Sequence, residues 1–204
     1  IFAANGIAVV EPDYIGYGLT ANRIHPYLCA KVTANNVIDM YFSTLPFLRF
    51  IGRQPENPDI FLLGFSQGGA VTLSVAQELE ISHFDDVKVR LAMCGSGPYD
   101  ICATYDQLIE NNFTDYPCAI PMIIQGMSEG MSKPLHMSYF FKEPLLSNYD
   151  AWLNSKAYPV KQINLMINVN RLSDILTTDA SDKSNPETQR LYKRLISNSI
   201  NPYY

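Results

Sequence analysis

The chain has 204 residues, of which 47% are hydrophobic, and it carries a formal net charge of −5 with a sequence pI near 5.1. The length allows one domain or a domain with a large insertion, and the hydrophobic content is that of a packed globule rather than a disordered chain. The acidic balance argues against nucleic acids and anionic membrane surfaces, which require clustered positive charge, so the expected partner is a small molecule.

Neither membrane insertion nor metal binding is indicated by the sequence. No apolar run reaches the roughly 18 residues of a membrane span, and no secretory signal opens the sequence. Its cysteines lack C-x-x-C spacing, which argues against a zinc site; they are Cys29, Cys94, Cys102 and Cys118. Cys102 and Cys118 could pair in an exported protein, but buried free thiols are the favoured interpretation. No metal or other cofactor is expected.

The first predicted strand is residues 6–12, a continuous apolar run that follows the turn signal Asn5-Gly6. Such a run is typical of a strand buried on both faces of a parallel sheet. The loop after it contains Tyr14, Tyr17 and two glycines. Because open α/β sheets bind ligands at the carboxyl ends of their strands, Tyr14 and Tyr17 are candidates for an active-site loop. A tight glycine turn packed by tyrosines is the equally supported alternative.

A long amphipathic helix is predicted over residues 30–50, where apolar residues recur at spacings of three and four. This helix is expected to cover one face of the sheet. Pro46 is expected to bend or end it, and the glycine and prolines that follow are expected to form a loop into the next strand.

The most informative stretch follows that loop. The apolar residues 60–63 lead into Gly64-Phe65-Ser66-Gln67-Gly68, and residues 69–79 can continue as a helix. A G-x-S-x-G segment between a strand and a helix predicts a nucleophile elbow. Gly64 and Gly68 are both expected to be required, because a Cβ at either position would collide with the neighbouring strand or helix.

On such a turn Ser66 would project its Oγ above the sheet as a nucleophile, and the backbone N–H of Gln67 would form half of an oxyanion hole. The alternative is a serine that only caps the following helix, whose first N–H groups need acceptors. The two glycines and the two flanking elements together favour the nucleophile.

The remaining chain changes in character. Residues 87–93 are predicted as another parallel strand, and three strands separated by two helices indicate a doubly wound α/β layer. From about residue 99 glycines become rare and short helices are predicted. They cover residues 101–109, 135–142, 149–153, 160–172 and 187–197. Ser184 or Asn185 can cap the last helix, with Pro186 in its first turn.

Several segments together resemble the secretory-lipase-like esterases of the α/β-hydrolase superfamily. They are residues 12–18 (PDYIGYG), 25–27 (HPY), 64–69 (GFSQGG) and 97–100 (GPYD), and more loosely 141–144 and 195–198. The resemblance implies an α/β fold, with a partial α/β-hydrolase parallel sheet and helices on both faces in residues 1–100. It implies a mainly helical cap in residues 101–204, an ester or lipid substrate, and export from the cytoplasm.

A second family shares the elbow alone, since acyl-protein thioesterases also carry GFSQGGA. In those compact enzymes the strand that bears the triad acid follows soon after the elbow unit. Here about a hundred residues follow Asp100 without an H-G-x-x-D-like segment. The esterase interpretation is therefore favoured.

The sequence departs from the superfamily pattern in its triad. Superfamily enzymes place the nucleophile first, then an acid, then a histidine. His25 precedes Ser66, His83 lies just past the elbow helix where a surface position is favoured, and His136 falls in the predicted cap before any plausible acid strand. No triad acid or base is therefore identified.

The upstream part of the family pattern is also missing. The H-G oxyanion loop does not occur before the elbow, and by resemblance a further strand would separate residues 7–12 from the elbow strand. We therefore hypothesise an internal segment of a longer hydrolase, inactive by itself, with unpaired strand edges.

The expected activity is that of a serine esterase or lipase that forms an acyl-enzyme on Ser66. A prolyl or dipeptidyl peptidase and a non-catalytic relative that binds a ligand remain alternatives. Apolar residues of the predicted cap could line an acyl pocket, although packing in the cap core is the favoured interpretation for them. They are Met122, Met127, Met131, Phe140, Phe141 and Trp152.

Overall fold

The structure, a computed structural model, describes residues 2–53, 59–82 and 87–200. The fold is mixed α/β, as predicted. In chain order the helices and strands are α1 (Ala30–Phe50), β1 (Ile60–Phe65), α2 (Gln67–Ile81), β2 (Val89–Gly95), α3 (Ile101–Asn111), α4 (Ala119–Ser128), α5 (Leu145–Tyr149), α6 (Val160–Ile167) and α7 (Pro186–Asn198). Short 3-10 turns and one π-helical turn, Asp150–Asn154, connect several of them.

The sheet consists of β1 and β2, which pair in parallel, with Phe61 opposite Leu91. Helix α2 connects the two strands and covers one face of the sheet. Its buried residues Val71, Val75 and Leu79 pack in one cluster with residues of α1 and of both strands. The β1–α2–β2 unit thus has the helix-on-sheet packing of parallel α/β proteins.

The expectation of helices on both faces of the sheet is wrong for the described residues, since α1 and α2 pack in one cluster on one face and the opposite, apolar face is uncovered. Phe61, Leu63 and Phe65 of β1 are 63%, 61% and 74% exposed, and Leu91 and Met93 of β2 are 50% and 55% exposed. Alternating residues of a strand share a face, so these five side chains form one continuous apolar surface. Parallel strands normally bury both faces, and this sheet has the composition for it.

The prediction of a strand at residues 6–12 is wrong. This segment forms no pairing with the sheet, and Ile7, Val9 and Val10 are exposed. The apolar run has the composition of a strand, but a strand also needs a neighbour at the correct position. Residues 7–12 do not pair with β1.

The helices after the sheet enclose a larger apolar core. Helix α7 packs against α3 and α4, and its Leu191 and Leu195 are fully buried. Asn185 caps α7 by accepting the N–H of Glu187 at 2.8 Å, as predicted, and Pro186 occupies the first turn. At its other end, Asn198 Oδ1 accepts the Ala30 N–H at 2.9 Å, so α7 also caps α1.

Most helix predictions hold, with five corrections. The predicted helix 149–153 is instead the end of α5 at Tyr149 followed by the π-helical turn Asp150–Asn154, and the predicted helix 160–172 ends at Ile167. Helix α1 has the predicted limits, and Pro46 lies within it rather than at its end. Residues 135–142 form only a 3-10 turn, Met137–Tyr139, between flanking prolines. Helix α4, Ala119–Ser128, is not among the predicted helices and contains a proline. Pro121 lies in the first turn, where its missing N–H would have no intrahelical partner.

The cysteines are free thiols, as predicted, but the prediction that they are buried is wrong for Cys94 and Cys102, which are partly exposed. Cys29 and Cys118 are buried, and burial raises the pKa of each thiol to about 11. Neither is therefore a thiolate near neutral pH. None of the helices in the described ranges is long and apolar enough to cross a membrane.

Candidate active site

Ser66 joins β1 to α2 in a backbone conformation that is unusual for a residue with a side chain. Its φ is 55° and its ψ is −120°. Such positive-φ strain persists only where the surroundings fix it. Here the Ser66 N–H donates to the Gly95 carbonyl at 2.8 Å, and the Ser66 carbonyl accepts the N–H groups of Gly69 and Ala70 at 2.9 and 3.2 Å. The end of β2 and the start of α2 together hold the turn.

The hydroxyl of Ser66 does not cap the helix that follows it. No backbone N–H of α2 donates to this side chain, and Ser66 is exposed. The alternative of a serine that only caps α2 is therefore wrong. The hydroxyl remains available to a molecule that approaches the carboxyl end of β1.

The glycines of the turn have different roles. A Cβ on Gly64 would lie 2.0 Å from the Gly68 carbonyl oxygen and 2.5 Å from Thr72 Oγ1, so strand and helix meet too closely for a side chain. A Cβ on Gly68 would have no neighbour within 4 Å, so the steric argument for Gly68 is wrong. The tight position inside α2 is Gly69, where a Cβ would lie 2.5 Å from the Gly95 carbonyl oxygen.

Gln67, the predicted oxyanion residue, begins α2. The first N–H groups of a helix have no acceptor within the helix, so the Gln67 N–H is available to a ligand. Its side chain is committed elsewhere: Gln67 Nε2 donates to His25 Nε2 at 2.7 Å. This bond spans 42 residues of sequence and anchors the residue that follows Ser66 to the loop after residues 7–12.

His25 is held neutral in one tautomer by its two partners. Its Nδ1 lies 2.8 Å from the Ile15 carbonyl oxygen, which can only accept, so Nδ1 carries the proton. Nε2 must then accept the amide N–H of Gln67. Both ring nitrogens are thus occupied, and His25 is a positioning residue for Gln67 rather than a general base.

The tyrosines of the predicted active-site loop surround this histidine. Tyr14 stacks on the His25 ring at 5.9 Å and 8°, and Tyr17 meets it edge-on at 5.1 Å. Tyr27 packs on it at 5.9 Å. Gly16 allows this packing, because its φ is +96° and a Cβ there would lie 2.8 Å from the His25 backbone. Tyr14 and Tyr17 therefore both pack and lie beside the elbow.

Acidic pH is expected to destabilise this arrangement. Burial lowers the pKa of His25 from its ordinary value of 6.5. The hydrogen bonds to the Ile15 carbonyl and Gln67 oppose this shift, and the nearby positive charge of Lys156 adds to it. The unfolded chain therefore binds this proton at a higher pH than the folded protein. We expect the free energy of unfolding to be fully retained above about pH 6.5 and to fall as the pH decreases below it.

Urea unfolding at pH 5.5 and 7.5 tests this expectation. His25→Gln should lose less stability between the two pH values than the unsubstituted protein does. His136→Gln changes an exposed histidine in the same way and should keep the full loss. Equal pH dependence in both variants and the unsubstituted protein would contradict the assignment.

The other histidines do not complete a triad within the described ranges. His136 is exposed, its backbone N–H donates to Glu187 Oε1 at 2.7 Å, and its ring packs against Tyr139. Those contacts place it at the start of α7, and none involves the elbow. His83 lies outside the described residues. In the described part of the chain, no three His, Cys, Asp or Glu side chains converge as a metal site.

A cavity of about 210 Å³ lies beside the elbow. It shares Tyr17 and His25 with the loop described above, and its far wall comes from α4, α6 and the segment before α6. Of the apolar cap residues considered for an acyl pocket, Met122 lines this cavity. Met127, Phe140 and Phe141 are fully buried in the core instead, as the packing interpretation predicted.

Comparison with known proteins shows the fold. No protein-family model matches the chain, and no curated protein matches its sequence. Solved structures do match. A Legionella pneumophila protein to which hydrolase activity has been attributed superposes with a TM-score of 0.77 at 22% identity, over 93% of this chain and 50% of its own. The N228W mutant of the rice cell wall degrading esterase LipA from Xanthomonas oryzae gives a TM-score of 0.73 at 18% identity. The match covers 93% of this chain and 51% of the esterase chain.

A ligand-bound form of the same esterase gives a TM-score of 0.72 at 18% identity, over 93% of this chain and 51% of its own. At these identities the likeness establishes that the chain has the fold of these hydrolase structures. The chain spans about half the length of the structures that it matches.

Proposed function

We propose that this chain is part of a serine hydrolase that cleaves carboxylic esters through an acyl-enzyme on Ser66. The observation that carries the proposal is the backbone of Ser66, strained at φ 55° between a strand and a helix, with a hydroxyl that caps nothing. Strain of this kind is concentrated at functional sites. The esterase among the structural neighbours supports an ester as the substrate class.

The proposed reaction begins when Ser66 Oγ attacks the ester carbonyl carbon while a base removes the hydroxyl proton. The negative charge that develops on the carbonyl oxygen is stabilised by the Gln67 N–H, and the alcohol then leaves with a proton. Water hydrolyses the acyl-enzyme and regenerates the hydroxyl. The hydrogen bond from Gln67 to His25 keeps the oxyanion donor fixed during both steps. One such donor contributes about 10²–10³ in kcat.

We further propose that other parts of the complete protein supply the acid and base of the triad. In the described ranges no histidine contacts Ser66, and the matching structures are about twice as long as this chain. The same additional segments would cover the apolar face formed by Phe61, Leu63 and their neighbours. In this view residues 1–100 belong to the catalytic core, and residues 101–204 form its cap.

The test uses the full-length protein. A fluorophosphonate probe should label Ser66, located by peptide mapping, and short p-nitrophenyl esters should be turned over while Xaa-Pro amides are not. Turnover of the amides but not of the esters would identify a peptidase. Absence of labelling in a protein that retains its circular dichroism spectrum would identify a non-catalytic relative. Either result would overturn the esterase proposal.

A further inference from the structure

A side-chain amide in the cavity wall has no hydrogen-bond partner among the described residues. Gln125 of α4 is only 7% exposed, it lines the cavity, and its side-chain amide makes no hydrogen bond with any described residue. Buried amides are nearly always hydrogen-bonded, since burial without a partner removes their bonds to water and returns nothing. Among the described residues, the side-chain atom that is fully buried without a partner is Asn36 Oδ1, so the Gln125 amide is not sealed from solvent and its free hydrogen-bonding groups face the open cavity.

The position of Gln125 is fixed by its neighbour in the helix. A Cβ on Gly126 would lie 2.3 Å from the Tyr27 carbonyl oxygen, so α4 and the Tyr27 backbone are in close contact. The Cys29 thiol also donates to the Gly126 carbonyl at 2.9 Å. Because of these contacts, α4 cannot shift to carry the amide out of the cavity without breaking the contact with the loop.

The other charged and amide side chains of the wall are already engaged. The Lys156 ammonium donates to the Ala21 carbonyl at 2.9 Å and to the Arg23 carbonyl, and Asn154 donates to Asp150. The hydroxyls of Tyr17, Tyr27 and Tyr158 also lack a hydrogen bond to a described residue, but these side chains are less buried than Gln125. No carboxylate lines the cavity among the described residues. Tyrosine rings and the apolar side chains of Met122, Leu153 and Ile163 supply most of the remaining surface.

The size and position of the cavity restrict its ligand. Its volume of about 210 Å³ is below the roughly 300–1,000 Å³ of sites for drug-sized ligands, so it suits a short group. It adjoins the elbow through His25, which lines the cavity and binds Gln67. Neither Ser66 nor Gln67 lines the cavity, so a molecule bound here would have to extend past His25 to reach Ser66.

On the basis of the proposed function, we propose that the cavity binds one end of the ester and that Gln125 determines its specificity. The ester preferred is a short one whose acyl or alcohol part carries an uncharged hydrogen-bonding substituent, such as a hydroxyl. A side-chain amide has both a donor and an acceptor, so it can accept a hydrogen bond from a hydroxyl or donate one to it. A plain alkyl ester would leave the amide without a partner and would bind more weakly.

Binding of uncleavable amides to the full-length Ser66→Ala protein tests the proposal without any turnover. The probes are N-propylbutanamide, N-propyl-3-hydroxybutanamide and N-(3-hydroxypropyl)butanamide, with Kd measured by ligand-observed NMR. One hydroxylated probe should bind about tenfold more tightly than the plain amide, which is the effect of one hydrogen bond. Equal binding of all three probes would overturn the proposal.

Gln125→Met, which preserves length and removes the polar group, should reduce that tenfold ratio to about one. The ligand-free variant should melt at the same temperature or higher, since an unpartnered amide has been removed. Gln162→Met is the matched control, because Gln162 lies exposed on α6 next to the cavity residue Ile163. A ratio that persists in Gln125→Met would also overturn the proposal.

The outcomes separate this proposal from the proposed function. If the protein prefers a hydroxylated probe through Gln125 but the fluorophosphonate does not label Ser66, the ligand site is supported and the esterase function is refuted. Labelling and ester turnover without any preference would retain the esterase and reject the role of Gln125.

Discussion

Replacing Ser66 with alanine in the full-length protein is expected to lower kcat for short p-nitrophenyl esters by at least about 10⁴-fold, because the nucleophile of the acyl-enzyme is lost. The fold should remain, since alanine can occupy the same backbone conformation at a similar cost and the Ser66 hydroxyl does not cap α2. Initial-rate kinetics on the purified variant measures the loss, and circular dichroism verifies the fold.

Ser96→Ala is the matched control for this experiment. Ser96 also follows a strand, is exposed and has a positive φ of 47°, but no helix begins directly after it. Its variant should retain kcat within about threefold. Similar losses in both variants, or full activity in Ser66→Ala, would show that the elbow serine is not the nucleophile.

Gly64→Ala is expected to destabilise the protein by about 3 kcal/mol or more, because the new Cβ would lie 2.0 Å from a backbone carbonyl oxygen that cannot move aside. Relief would require α2 to separate from β1, which would also disturb Ser66. The shift of the urea unfolding midpoint measures the effect, and poor soluble yield is the accompanying sign.

Gly68→Ala is the appropriate comparison, since Gly68 lies in the same turn with open space around its Cα. Alanine is the better helix former there, so stability should change by less than about 1 kcal/mol and can increase. Equal destabilisation by both substitutions would mean that strand and helix are less closely packed at Gly64 than the structure indicates.

Elements encoded by local signals were predicted from the sequence. The helix α1 follows from apolar spacing, α7 from Asn185 and Pro186 ahead of a periodic segment, and the turn at Ser66 from small residues between a strand and a helix. Elements that depend on residues distant in the sequence were not predicted. The run at 6–12 has strand composition, but pairing is a property of its neighbours, and none of the described residues pairs with it.

The same division applies to the site. Ser66 and Gln67 could be selected from the motif, because the turn itself places them. The hydrogen bond between Gln67 and His25 could not, because nothing local relates residues 42 positions apart. The only signal was that His25 occurs in a segment that shares the family resemblance, and its position before the serine excluded it as a base without suggesting another role. Gln125 gave no sequence signal.

The bare face of the two-stranded sheet has a practical consequence for handling the protein. This face exposes five large hydrophobic side chains to water, and exposed hydrophobic surfaces of this kind promote aggregation. They are Phe61, Leu63, Phe65, Leu91 and Met93. A recombinant product restricted to these 204 residues is thus prone to inclusion bodies. If further segments cover this face, as proposed above, expressing them together with these residues should raise the soluble yield.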